Sequence, residues 1–157
     1  MYSIMIVEDE ELVRQGLTSL VNYEQFGMKV IDQAENGRIA WEKFQAQPAD
    51  LLLTDINMPQ LNGLDLAQLV REKAPSCHII FLTGYDDFEF AQKAIRLGAD
   101  DYLLKPFSKA DIEEMLEKVK NKLDEEGKKA QVETLVDQGH STELEEAIHS
   151  RLADSRL

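Results

Sequence analysis

Four short apolar runs in this chain each end on a reactive polar side chain. Ile4-Met5-Ile6-Val7 stops at Glu8-Asp9, Leu51-Leu52-Leu53-Thr54 at Asp55, Ile79-Ile80-Phe81-Leu82 at Thr83, and Tyr102-Leu103-Leu104 at Lys105-Pro106. Unbroken apolar runs of this length indicate strands buried on both faces of a parallel sheet. In such a sheet every carboxyl end lies on one edge, and ligands bind outside those ends where the strand order reverses. Glu8, Asp9, Asp55, Thr83 and Lys105, distant in sequence, are therefore expected in one shallow pocket.

A chain of 157 residues, 43% of them hydrophobic, suffices for one domain with a single core and falls short of two of ordinary size. We expect a domain over residues 1–124 and a linker or tail over 125–157, helical in part. The formal net charge is −13, and neither part offers the basic surface that phosphate backbones require, so direct binding of nucleic acid by this chain is not expected. The single cysteine, Cys77, rules out an internal disulfide and suits a reducing cytosol. No signal-peptide pattern and no apolar stretch long enough to span a bilayer are present, which makes a cytoplasmic location the expectation, with no membrane partner.

Strand candidates at 3–7, 29–33, 51–54, 79–82 and 101–104 alternate with helical stretches at about 10–22, 37–46, 63–73, 86–97 and 109–124. Five βα units in succession give an α/β fold, a doubly wound parallel sheet of five strands with five helices on its two faces. Gly98 is placed to stop the fourth helix in a left-handed conformation, and Ser108 with Asp111 forms a capping-box pattern for the fifth. Ile112, Met115, Leu116, Val119 and Leu123 recur on one face of that fifth helix as a core stripe. Beyond Leu123 the pattern weakens: Gly127 interrupts the register, and Leu144, Ile148 and Leu152, behind a cap candidate at Thr142, suggest a short amphipathic helix.

Three carboxylates gathered within a few ångströms repel by roughly 4 kcal/mol per pair at about 4 Å and an effective dielectric of about 20. A positive charge must offset this. Mg²⁺ is suited, being a hard ion that takes one or two carboxylates together with waters and phosphate oxygens, and Lys105 supplies a second, permanent charge. Asp55 is the nucleophile candidate: a carboxylate beside a divalent metal can attack phosphorus to give an acyl phosphate. Thr83 can donate its hydroxyl hydrogen bond to that phosphoryl group, and Gly84 leaves it room. The plainer reading of the acids is that Glu8 or Asp9 caps the helix that follows; the convergence of all five positions favours function.

Met5-Ile-Val-Glu-Asp-Glu10, Leu53-Thr-Asp-Ile-Asn-Met-Pro59, Phe81-Leu-Thr-Gly84 and Gly98-Ala-Asp-Asp-Tyr-Leu-Leu-Lys-Pro-Phe107 together resemble the receiver domain of two-component response regulators, over residues 1 to about 124. The resemblance implies a flavodoxin-like sandwich with strand order 2-1-3-4-5. It implies Asp55 as phosphoacceptor from the phosphohistidine of a sensor histidine kinase, with Mg²⁺ held by Glu8, Asp9, Asp55 and the backbone carbonyl of Asn57. Thr83 and Lys105 become the phosphoryl contacts, Thr83 and Tyr102 the switch pair, and Lys105-Pro106 a cis peptide. On this reading the chain is not an enzyme and assists only its own phosphorylation and dephosphorylation. Glu8-Asp9 departs from the two aspartates more usual in the family, and the longer arm bears on how the ion is held. The segment from Gly84 to Ile95 resembles receivers fused to AraC-type helix-turn-helix output domains. Hence a piece of a longer transcriptional regulator is expected, the alternative being a single-domain receiver that relays phosphate.

A phosphotransferase of the haloacid dehalogenase type is a weaker match, since Asn57 stands where that family places an acid. A flavodoxin is weaker still, because Glu8-Asp9-Glu10-Glu11 repels phosphate where the flavin loop must bind it. An acidic scaffold without chemistry does not account for Lys105 and Thr83. His78, His140 and His149 are too scattered to form a zinc site. For assembly, the face made by the fourth helix, fifth strand and fifth helix carries both signs (Asp86, Asp87, Glu89, Lys93, Arg96, Asp100, Asp101, Lys109, Lys118 and Lys122). That mixture allows a self-complementary homodimer.

Overall fold

The structure, a computed structural model, describes residues 1–84, 88–96 and 98–137. In chain order the elements are β1 (Tyr2–Val7), α1 (Glu11–Ser19), β2 (Met28–Ala34), α2 (Gly37–Ala46), β3 (Leu51–Asp55), α3 (Gly63–Lys73), β4 (His78–Thr83), α4 (Phe88–Arg96), β5 (Asp101–Leu104) and α5 (Lys109–Asp137). The strands pair in parallel in the order β2-β1-β3-β4-β5. The chain thus begins in the sheet interior, adds β2 on one side and everything later on the other. The order reverses between β1 and β3, and that is where a crevice opens in a doubly wound sheet.

β3 and β4 are buried at every position, as their unbroken apolar runs require. Successive side chains point to opposite faces. Met5, Val7, Leu52, Ile79 and Phe81 meet Ala40 and Phe44 of α2 and Leu66 and Val70 of α3 in one core cluster. The alternate set, Ile4, Ile6, Leu51, Leu53, Ile80 and Leu82, is buried too, as are Leu17 of α1 and Ile112, Met115 and Leu116 of α5. The sheet is covered on both faces, and its polar business is confined to its edges.

Helix ends follow local chemistry. Asn36 and Asn62 cap α2 and α3, each side chain accepting the N–H three residues on, from Ile39 at 2.8 Å and Asp65 at 2.9 Å. Ser108 and Asp111 exchange the reciprocal bonds of a capping box at 2.9 and 3.1 Å. Gly98 adopts φ 115° after α4 and its N–H bonds to the Ile95 carbonyl at 3.1 Å. Two boundaries differ from the sequence reading. The first helix stops at Ser19 rather than near residue 22, because the chain turns through a 3-10 segment, Tyr23–Phe26, and the Tyr23 hydroxyl donates to the Leu17 carbonyl at 2.5 Å. The fifth continues past 124 to Asp137: Gly127 costs about 1 kcal/mol against alanine, and the Lys, Glu and Ala around it are strong helix formers. Val119 and Leu123 of the expected stripe are buried. The amphipathic segment around Leu144 to Leu152 lies outside the described residues, as do Asp86 and Asp87.

At the amino-terminal edge of the sheet, Asp100 is a hub. Its carboxylate lies 2.9 Å from His78 Nδ1, accepts the Ile79 N–H at 2.7 Å and stands 3.7 Å from the Arg71 guanidinium. Arg71 also donates to the carbonyls of Pro75, Cys77 and Gly98. Asp100 therefore turns inward and drops out of the mixed-charge face expected for assembly; Glu89, Lys93, Arg96, Lys109, Lys118 and Lys122 are exposed.

Two glycines set the path of the chain leaving β3. At Gly63 an added Cβ would lie 2.0 Å from the Asp55 carbonyl oxygen, far inside contact distance, and the Gly63 N–H bonds to the Ile56 carbonyl at 2.8 Å. At Gly37 it would collide in the same way with the Leu61 carbonyl. Both obstacles are backbone and cannot rotate aside. Gly63→Ala is expected to lower stability by roughly 1–3 kcal/mol, the range for overpacking a tight contact, in denaturant unfolding. Gly84→Ala, whose Cβ would meet nothing within 4 Å, is expected to stay within about 0.5 kcal/mol of wild type. Equal effects from the two substitutions would contradict the close approach.

Candidate functional site

Register carries the reactive residues to one place. Val7 pairs with Thr54, Asp55 with Leu82 and Thr83 with Leu104, so Glu8, Asp55, Thr83 and Lys105 all stand at the carboxyl edge beside the β1/β3 reversal. The Lys105 N–H reaches the Thr83 carbonyl at 2.7 Å, and the Lys105–Pro106 peptide is cis.

The pocket centres on one ammonium. Lys105 Nζ donates to Glu8 Oε1 at 2.5 Å and to Asp55 Oδ2 at 3.2 Å. The second Asp55 oxygen accepts the Ile56 N–H at 2.8 Å. Glu8 is fully buried and Asp55 is 6% exposed, whereas Asp9 faces solvent. One carboxylate oxygen from each of Glu8, Asp9 and Asp55 lies within 4.8 Å of the others. Neither Glu8 nor Asp9 caps α1. The N-cap is Glu10, without a side-chain cap bond, and Glu8 Oε2 accepts the Glu10 N–H at 3.3 Å instead. The acids are thus turned to the pocket rather than to the helix end.

Electrostatics follow from burial. Loss of water pushes the Glu8 carboxyl up to about 8; Lys105 pulls it back, while Asp9 and Asp55 add to the rise. Asp55 is also raised, again by burial first, against the opposing pull of Glu8, Lys105 and the Ile56 N–H. Burial works against charge on Lys105, yet the two carboxylates outweigh it and lift its value. Burial thus makes Glu8 the harder of these acids to ionise, while Asp55 faces a firmly protonated lysine.

The other expected residues flank this centre. Thr83 is buried and its hydroxyl donates to the Gly84 carbonyl at 3.1 Å. Tyr102 is half-buried against the core cluster on the edge strand β5. Asn57 is exposed, two residues beyond Asp55 in the loop entering α3. Sequence reasoning missed three contributors. A glycine at the first position of α3 was the available signal for Gly63. Gln60, at φ 71° with its amide oxygen accepting from Arg38 Nε at 2.6 Å, pins the same loop to α2 and carries no signal in a single sequence. Arg14 of α1, which donates to the Glu8 backbone carbonyl at 2.6 Å, reads in sequence only as a polar helix residue.

These charges set a pH dependence. The Glu8 carboxyl moves from an ordinary 4.5 to about 8 on folding, so the folded chain keeps a proton that the unfolded chain releases. Stability from this group is complete below 4.5 and is lost as pH rises through about 8. In chelator, the melting temperature of wild type is expected to fall over that window relative to Glu8→Gln. Parallel profiles for the two proteins would show that Glu8 is not the proton carrier.

Comparison with known proteins agrees with this geometry. The family model for the response regulator receiver domain matches residues 4–117. The transcriptional regulatory protein YesN of Bacillus subtilis is 34% identical over 119 residues, which are 76% of this chain and 32% of that protein. The sensory transduction protein LytR of Staphylococcus haemolyticus is 44% identical over 119 residues, covering 76% and 45%. The chain thus spans about a third to under a half of the length of these curated relatives. Among solved structures, the receiver domain of AraT, a response regulator from Geobacillus stearothermophilus, superposes with a TM-score of 0.77 at 42% identity, covering 80% of this chain and 98% of that one. A two-component transcriptional regulator AraC from Clostridium phytofermentans gives 0.71 at 34% identity, covering 76% and 92%. With the acid cluster and its lysine lying inside the matched segment, the chain belongs to the receiver domains of two-component response regulators.

Proposed function

We propose that Asp55 is the phosphoacceptor of this receiver and that a sensor histidine kinase supplies the phosphoryl group. The observation that carries this reading is the Lys105 ammonium bridging buried Glu8 and Asp55 at the sheet reversal. An Asp55 carboxylate oxygen attacks phosphorus, the phosphorus–nitrogen bond of the donor breaks, and the imidazole leaves. Lys105 turns from Asp55 toward the phosphoryl oxygens, and Thr83 rotates its hydroxyl from Gly84 to meet them. The donor set fits Mg²⁺: three carboxylates with oxygens this close offer the hard ligands that ion selects, and on this reading the Asn57 backbone carbonyl would join them. When bound, Mg²⁺ neutralises charge on the pocket acids and the phosphoryl oxygens. The chain acts on no other substrate and catalyses only the making and breaking of its own acyl phosphate.

The printed names of the relatives and the AraT and AraC neighbours support a place within a longer cytoplasmic regulator whose output acts on transcription. Among the described residues no helix is long and apolar enough to cross a membrane. The pocket reaches that output through Thr83 and Tyr102. As the threonine hydroxyl turns inward, the Tyr102 ring enters the space it leaves, and the outer surface of β5 changes. The exposed charges of both signs there, Glu89, Lys93, Arg96 and Lys109 among them, suit a two-fold pairing that tightens in the modified state.

Intact mass after incubation with Mg²⁺ and a small phosphodonor is expected to rise by one phosphoryl group in wild type and not in Asp55→Asn. Undiminished labelling in excess chelator would remove the metal from the reading, and labelling of Asp55→Asn would remove the nucleophile. Lys105→Ala is expected to stay folded and take up phosphate while losing the response. That response is measured by sedimentation with and without a phosphoryl mimic. An association constant indifferent to the mimic in wild type, or Thr83 and Tyr102 unmoved on adding it, would sink the switch.

A further inference from the structure

We propose that Arg14 is a positioning residue for the acid-bearing turn, setting how well Glu8 and Asp9 are presented to a divalent cation. This rests on the metal reading above. The turn Glu8-Asp9-Glu10 joins β1 to α1, and such turns are ordinarily fixed by a capping side chain, which here makes no cap bond. Within the turn the Glu8 side chain accepts the Glu10 N–H at 3.3 Å, and the turn is otherwise held from outside. The Glu8 N–H donates to the Ala34 carbonyl of β2 at 3.1 Å, and the Glu8 carbonyl accepts from Arg14 at 2.6 Å. Both polar groups flanking the Glu8 α-carbon are therefore spoken for, one by the sheet and one by a side chain a turn further along α1.

The Arg14 bond is charge-assisted and short, the stronger class of hydrogen bond. Arg14 is itself half-buried, and its own N–H is tied to the Glu10 carbonyl at 3.0 Å, so the guanidinium and the turn belong to one closed loop of bonds. A guanidinium here also adds positive charge to a stretch with four consecutive acids, Glu8 to Glu11. Its placement favours a turn whose carboxylates converge on the pocket over one that splays them into water. The side chain touches a backbone oxygen rather than a reacting atom, so its part is to hold and not to react. Groups that orient metal-binding residues in this way commonly govern affinity by 10–100-fold (roughly) when removed.

Two measurements on Arg14→Ala and Arg14→Lys, with Arg96→Ala on α4 as a control for loss of a surface arginine, test the assignment. In chelator, amide hydrogen exchange at Asp9 and Glu10 is expected to quicken about tenfold in Arg14→Ala, with β3 and β4 unchanged. Arg14→Lys, which keeps a cationic donor, is expected to recover part of the protection. Calorimetric titration with Mg²⁺ is expected to show about tenfold weaker binding for Arg14→Ala, intermediate binding for Arg14→Lys and wild-type binding for Arg96→Ala. Unchanged exchange at Asp9 and Glu10 would overturn the anchoring. Quickened exchange with unchanged Mg²⁺ affinity would overturn its consequence for the ion. Wild type taking up no Mg²⁺ while exchange still responds to Arg14 would overturn the metal reading and with it presentation to a cation, leaving Arg14 as an anchor alone.

Discussion

The structure of the pocket depends on how two buried carboxylates tolerate each other. Glu8 and Asp55 lie where water cannot screen them, and two devices ease that arrangement: the Lys105 ammonium held between them and the raised affinity of buried Glu8 for a proton. Each device is replaceable. A divalent ion can take the place of the proton, and a phosphoryl group can draw off the lysine. A site stabilised by exchangeable positive charge is poised for chemistry, whereas one stabilised by packing alone would not be.

The fold supplies this arrangement cheaply, because the order of strands does the gathering. β1 lies between β2 and β3, so the turn after β1 and the end of β3 open side by side, and β4 and β5 deliver Thr83 and Lys105 in register beyond them. At the other edge, Asp100 and Arg71 lash the entry to β4 to the entry to β5 through side-chain and backbone bonds. The β4–β5 pair is therefore fastened at the end remote from the pocket, while at the pocket end the Lys105 N–H reaches the Thr83 carbonyl.

Much of this was legible in the sequence because it was written as pattern. Unbroken apolar runs located β1, β3, β4 and β5, and the polar residue closing each run located the pocket, since parallel strands share an edge. What single-sequence reasoning could not supply was geometry that depends on approach. Whether Glu8 caps α1 or enters the pocket is a matter of a rotamer. The Arg14 bond to a backbone carbonyl leaves no trace in residue type. The length of α5 was underread because Gly127 weakens a helix without ending one when its neighbours favour the helix strongly. Asp100, assigned to an outer face by its place in the chain, turned inward because buried N–H groups at the start of β4 needed an acceptor.

The contacts at Gly37 and Gly63 bear on how the loop between β3 and α3 can vary. Its route is set by two places where side chains are missing and backbones touch, together with Gln60, whose amide oxygen accepts from Arg38 of α2. Between those grips the composition is left open to change. An exposed position such as Pro59 can then change the surface the loop shows while the two backbone contacts stay in place. Recognition and chemistry, though they occupy one short loop, can thus diverge at different rates.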